Sequence, residues 1–190
     1  MILKDLILKT RSYRRFNESH RIDIKTLENL VDLARVSASA ANRQPLKYLL
    51  FNTPVDCKRI YPSIAWAGYL KDWPGPGADE RPSAYIIMLG DRSITESFSF
   101  DPGIAAQSIM LGATEMGLGG CMIASIKKEE LRNELNIPEK YEILLILALG
   151  KPVENVVIDE IKEGDIKYWR DEKSIHHVPK RTLNELIIKL

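Results

Sequence analysis

Long hydrophobic runs are missing from this sequence of 190 residues. The longest, residues 143–149, is too short to cross a bilayer as a helix, and residues 1–9 are broken by charge every three or four positions, unlike a signal peptide. Cysteine is scarce. Cys57 and Cys121 have no partners at metal-ligand spacing, so no metal site is expected; the two read as reduced thiols rather than a disulfide framework, with a single pairing left open. A dominant charge is lacking too. With 27 Lys and Arg against 26 Asp and Glu, no bulk field draws the chain to nucleic acid or to an acidic membrane, and any anion must be met by a local cluster. Internal repeats and low-complexity segments are absent. What remains is a soluble, cytoplasmic protein whose 45% apolar content suits one domain, 1–190, with a full core.

The first local cluster is Arg11-Ser12-Tyr13-Arg14-Arg15-Phe16, three arginines around one small hydroxyl. As a surface turn it would simply face water, but forked guanidiniums beside a compact donor also suit a phosphate. Next comes Ser37-Ala-Ser-Ala-Ala-Asn42-Arg43-Gln44-Pro45, whose small residues allow a backbone to lie close against something that is not protein. Asn42 and Gln44 each carry a donor and an acceptor, either for a ligand edge or for their own loop. Residues 117–120 form a glycine-rich turn without the full spacing of a dinucleotide fingerprint. Near the end, Lys180 and Arg181 precede a capping box formed by Thr182 and Glu185, placing two cations ahead of a helix N-terminus.

Periodicity supplies the elements between these motifs. Leu3, Leu6 and Ile7 mark a short helical face; Asp23 caps a helix over 24–36; residues 46–51 form a strand; and Thr53-Pro54 opens another helix. Residues 84–89 and 143–149 read as strands buried on both faces. Asp101 is expected to cap a helix, apolar nearly all round, that runs to Gly117; a short strand at 121–124 ends at Ser125, expected to cap a helix over 127–135. The tail alternates through 156–161 and 166–169, with charges at 171–173 suggesting a hairpin into 175–178. Trp66, Tyr69 and Trp73, just ahead of Pro74-Gly-Pro-Gly77, are either core or a gate over a flat ligand.

In order and spacing, Arg11-Ser12-x-Arg14-x-Phe16, Ser39-x-x-Asn42-x-Gln44-Pro45, Gly117-Leu-Gly119 and Lys180-Arg181 resemble the FMN-dependent nitroreductase family across nearly the whole chain. The resemblance implies an α+β fold, a three-layer α/β/α sandwich with a mixed, largely antiparallel sheet wrapped by helices. It implies a homodimer with FMN at the subunit interface and residues 150–190 as an extension embracing the partner. Arg11 and Ser12 would hold the FMN phosphate with Lys180 and Arg181, and Arg14 would lie near the ribityl chain and pyrimidine edge. Ser39 and Asn42 would reach the flavin from the other subunit, and Gln44 would meet the ribityl hydroxyls or the adjoining wall. The backbone of Ala124 and Ser125 would border the central ring.

NADH or NADPH would reduce the cofactor, and a nitroaromatic, quinone or similar small acceptor would reoxidise it by a ping-pong mechanism with no catalytic side chain. Thr10, Leu46 and Ala124 depart from the family pattern, as does the short segment 91–101. Alternatives on the same fold are a dehalogenase or a flavin-fragmenting enzyme. Outside it stand a non-catalytic flavin-binding module and a dimer with no cofactor.

Overall fold

The computed structural model describes residues 2–189. In chain order its elements are α1 (Leu3–Lys9), β1 (Phe16–Asn17), α2 (Ile24–Arg35), β2 (Leu46–Phe51), α3 (Pro54–Ile60), β3 (Ala84–Asp91), α4 (Asp101–Glu115), β4 (Gly119–Ile123), α5 (Lys128–Leu135), β5 (Tyr141–Pro152), β6 (Val156–Glu160), β7 (Trp169–Arg170), β8 (His176–Lys180) and α6 (Leu183–Leu186).

Every residue of β3 is buried, and its side chains divide by parity. Ile86 and Met88 join one core with Leu27 and Leu30 of α2 and Ala106 and Ile109 of α4. Tyr85, Ile87 and Leu89 join another with Ile60 of α3, Leu131 of α5 and Trp66. Side chains alternate across a strand, so two separate cores at odd and even positions mean that helices cover both faces. The result is a three-layer α/β/α arrangement within an α+β fold. β5 pairs β1, β3 and β4, and β3 pairs β2, all antiparallel. The tail adds a separate sheet in the order β6-β8-β7, where β6 and β8 run parallel and β7 and β8 form the hairpin expected around Asp171.

Several helix starts follow from side-chain caps. Asp23 accepts the Thr26 N–H at 2.6 Å, and Thr53 accepts the Asp56 N–H at 3.2 Å with Pro54 in the first turn. Two other expected caps are corrected. Asp101 is the first residue of α4, with Phe100 at the cap position, and its carboxylate turns away to a loop. Ser125 caps nothing: α5 starts at Lys128 because Ile126 first bridges Ile64 and the Ser125 carbonyl accepts the Ala65 N–H.

α4 is apolar nearly all round, as expected, but it is not buried all round, since Ile104 remains exposed. The aromatic stripe from Trp66 to Trp73 forms successive turns, not a helix, and Trp66 lies in the core. Cys57 and Cys121 are both free thiols. Among the described residues no helix is long and apolar enough to cross a membrane, and no cluster of His, Cys, Asp or Glu could hold a metal.

Candidate functional site

Beyond α1 the chain runs alongside β4. Ser12 bridges Gly120, and the Tyr13 N–H donates to the Gly120 carbonyl at 2.9 Å. The approach needs glycine at position 119, where a Cβ would meet the Tyr13 ring at 2.6 Å; a Cβ at Gly120 would instead meet the Leu149 side chain of β5 at 2.8 Å. The glycine-rich segment therefore works by packing Ser12 against the sheet. On the other side β8 brings Lys180 to the same place. Arg11, Ser12, Arg14 and Lys180 share the lining of one cavity, about 270 Å³, with Tyr168 and His176. No carboxylate lines it. Arg11 donates through Nη2 to the Ile7 carbonyl at 2.7 Å, while its buried Nε has no protein partner. Three cations, a hydroxyl and an orphaned N–H around one space are a donor set suited to an anion.

Arg14 is the most enclosed of the three cations, only 8% exposed. Its Nη1 donates to the Ser12 carbonyl at 3.1 Å and lies 3.1 Å from Nε2 of the fully buried His176. The Tyr168 ring stacks under the guanidinium, 4.7 Å from centroid to Cζ. Glu154, buried, accepts the backbone N–H groups of both Arg14 and Arg15 on one oxygen and the Arg170 guanidinium at 3.0 Å on the other. Burial, then the Arg14 and Arg170 charges, push the His176 pKa down from 6.5 to about 4.

The small-residue loop is built around Asp101. Its carboxylate accepts the Ser39 hydroxyl at 2.6 Å and the Ala40 N–H at 2.9 Å, and Ser39 Oγ in turn accepts the Gln44 N–H at 2.9 Å. The single hydroxyl proton of Ser39 is thus already committed. Gln44 donates through Nε2 to Asn42 Oδ1 at 3.1 Å. Ala41, Asn42 and Gln44 all have φ near +50°, at 51°, 52° and 51°, a left-handed conformation that costs energy outside glycine. Ser39, Gln44 and Asp101 line a second cavity of about 300 Å³, with Tyr48 and Ala105 in its wall. The two cavities share no lining residue.

The remaining expected site residues fall elsewhere. Ala124 and Ser125 are exposed just past β4, at the opposite end from the Ser12–Gly120 bridge. Arg181 is exposed and pairs with Glu185 at 3.2 Å, outside the cavity wall. Of the aromatics, Tyr69 touches Tyr168, with centroids 4.9 Å apart, and the Trp73 ring carries the Arg170 guanidinium at 4.2 Å. Glu154, Tyr168 and His176 escaped the sequence reading. His176 stands 162 positions from Arg14, so no spacing signal could join them.

A family model described as Nitroreductase family matches residues 7–151. A protein provisionally named NADH dehydrogenase/NAD(P)H nitroreductase from Methanothermobacter thermautotrophicus is 25% identical over 155 residues, covering 78% of this chain and 76% of that protein. Among solved structures, an FMN-dependent nitroreductase from Clostridium difficile R20291 superposes with a TM-score of 0.64 at 19% identity, covering 80% of this chain and 89% of the other. A protein from Bacteroides thetaiotaomicron VPI-5482, with the same provisional name as the Methanothermobacter relative, gives a TM-score of 0.66 at 20% identity, covering 93% and 97%. At those identities the superpositions speak to fold.

Proposed function

This chain belongs to the nitroreductase family, and from that premise we propose that it is an FMN-dependent oxidoreductase that takes reducing equivalents from NADH or NADPH and passes them to a nitroaromatic, a quinone or a similar small acceptor. The observation that carries the reading is the carboxylate-free cavity onto which Arg11, Ser12, Arg14 and Lys180 converge, with the Arg11 Nε–H buried and unpartnered. That donor set fits a phosphate monoester. Ser12 would offer its hydroxyl, Arg11 its spare N–H, and Lys180 a mobile point charge.

β4 sets the direction in which such a ligand extends. From Gly120, beside Ser12, to Ala124 is four residues, about 13 Å of strand. A molecule anchored by its phosphate at Ser12 and lying along β4 brings its ring system towards Ala124 and Ser125. There the backbone N–H groups beyond the strand would orient the ring. Bound FMN supplies the hydride chemistry, and no side chain is needed as nucleophile or general base. Arg14, enclosed by Tyr168, His176 and Glu154, would stabilise negative charge developing on the ring. With one ring face open, donor and acceptor would use the same space in turn, the ping-pong order.

The test begins with purified protein. Bound flavin absorbance should bleach under anaerobic NADH or NADPH, and Arg11→Ala or Lys180→Ala should each weaken FMN binding about tenfold or more without loss of fold. Unchanged FMN affinity in both variants would remove the phosphate assignment.

A further inference from the structure

Three cations line the cavity, and they are held differently. Lys180 is exposed, while Arg11 gives one N–H to the Ile7 carbonyl and keeps its buried Nε–H free. Arg14 is enclosed: its Nη1 donates to the Ser12 carbonyl and meets His176 Nε2, both at 3.1 Å, with the Tyr168 ring under the guanidinium. A guanidinium has donors only, so His176 must present a lone pair at Nε2 and carry its proton on Nδ1. That tautomer leaves the Nδ1–H buried without a partner among the described residues. The imidazole is then neutral, in agreement with a pKa lowered to about 4 by burial and by the Arg14 and Arg170 charges. A carboxylate in the same place would hold Arg14 equally well but cancel its charge. Among the described residues no carboxylate pairs with this guanidinium, since Glu154 meets the Arg14 backbone N–H and gives its other oxygen to Arg170. Arg14 is therefore a fixed cation whose charge is left uncompensated beside the ligand space.

We propose that His176 is a positioning residue for electron transfer: by holding the Arg14 guanidinium without neutralising it, His176 strengthens the binding of reduced FMN relative to oxidised FMN and so raises the reduction potential of the bound flavin. This rests on the FMN reading above, in which Arg14 serves the ring rather than the phosphate. A hydride from NADH or NADPH carries two electrons and one proton, so the nicotinamide leaves as its oxidised cation and the flavin ring gains one negative charge. A cation already in place stabilises that charge without having to reorganise. The phosphate is the same in both oxidation states, so its contacts cancel from the difference, and only groups that meet the ring charge can shift the balance. With the imidazole acceptor gone, Nη1 keeps the Ser12 carbonyl alone and the guanidinium is free to swing away from the ring.

The experiment reads the midpoint potential of FMN bound to wild-type protein, H176L, H176Q and R14M by anaerobic equilibration with an indicator dye. The offset between two proteins is the change in the ratio of their affinities for reduced and oxidised FMN. His176→Leu removes the acceptor, and His176→Gln restores a neutral carbonyl oxygen near the position of Nε2. The ratio should fall about tenfold in H176L, a drop of about 30 mV for a two-electron couple, and stay within about threefold of wild type in H176Q. R14M should lower it at least as much, and H176L should add nothing in the R14M background. A merely structural role for His176 would weaken both oxidation states together and leave the potential unmoved, a result that overturns the inference while the cofactor reading stands. An equal fall in H176Q, or an H176L shift that persists undiminished in R14M, overturns it too. If melting curves show that H176L does not fold, H176M carries the same expectation. A wild-type chain that binds no FMN overturns the cofactor reading itself, and the inference with it.

Discussion

Asp101 shows how much one carboxylate can organise. Ser39 and Ala40 both donate to it, and through Ser39 the bond reaches Gln44, so one buried side chain closes a loop in which three non-glycine residues hold positive φ. Strain of that kind persists only where the surroundings over-determine it. Replacing the carboxylate by an amide turns one acceptor into a donor facing a donor. Asp101→Asn should therefore destabilise the protein by about 1–3 kcal/mol in urea unfolding and loosen the loop that carries Asn42. A variant of wild-type stability would show that the loop holds itself. His176 gives a second residue-scale expectation. Its folded pKa of about 4 lies below the ordinary 6.5, so the unfolded chain binds the proton first. Its contribution to stability is complete above pH 6.5 and declines as pH falls from 6.5 towards 4, by about 3 kcal/mol in all. H176Q cannot titrate there, so its unfolding free energy should be flatter than wild type across that window; parallel curves would refute the assignment.

At the scale of elements, what the sequence discloses follows period and local chemistry. The apolar runs at 84–89 and 143–149 declare strands buried on both faces, and Asp23 and Thr53 announce helix starts, because each signal lies within a few residues. The same locality misled at Asp101, which sits one residue from where a cap belongs and serves a loop 61 positions away instead. Gly119 and Gly120 likewise advertise a turn in sequence but lie in β4, where the missing side chain of Gly119 admits the segment bearing Ser12 and that of Gly120 admits β5. Two glycines then separate the roles. Gly117 has φ +74° and open space around it, so Gly117→Ala should cost about 1 kcal/mol of backbone strain and leave FMN binding alone. At Gly120 an added Cβ would press on the Ala148 carbonyl, with Met110 Cε only 3.1 Å away. Gly120→Ala should cost about 1–3 kcal/mol and weaken FMN as well, since Ser12 moves with β4. Denaturation and flavin titration of the pair would check this, and equal flavin affinities would argue that β4 does not place Ser12.

For the whole molecule the telling fact is separation. Residues of the site motifs come to two places in the folded chain: Arg11, Ser12, Arg14 and Lys180 around one cavity, Ser39 and Gln44 around another with no residue in common. In the homodimer that the family resemblance implies, a second copy would bring its loop to the first copy's cavity, so that all of them serve one flavin. The surface is suited to such a contact. Leu183, Leu186 and Ile188 of the tail are 69%, 64% and 82% exposed, and Phe100, at the start of α4 beside the Asp101 loop, is 80% exposed. Large apolar side chains left that open are characteristic of surfaces covered by association. Binding of FMN should then depend on protein concentration, because a ligand held by two subunits is linked to their association. Sedimentation should show a dimer that FMN strengthens, and Phe100→Asp should weaken both the dimer and the flavin while leaving the secondary structure intact. A folded monomer that keeps full FMN affinity would mean that Arg11, Ser12, Arg14 and Lys180 suffice, and that the Ser39 loop serves something other than the cofactor.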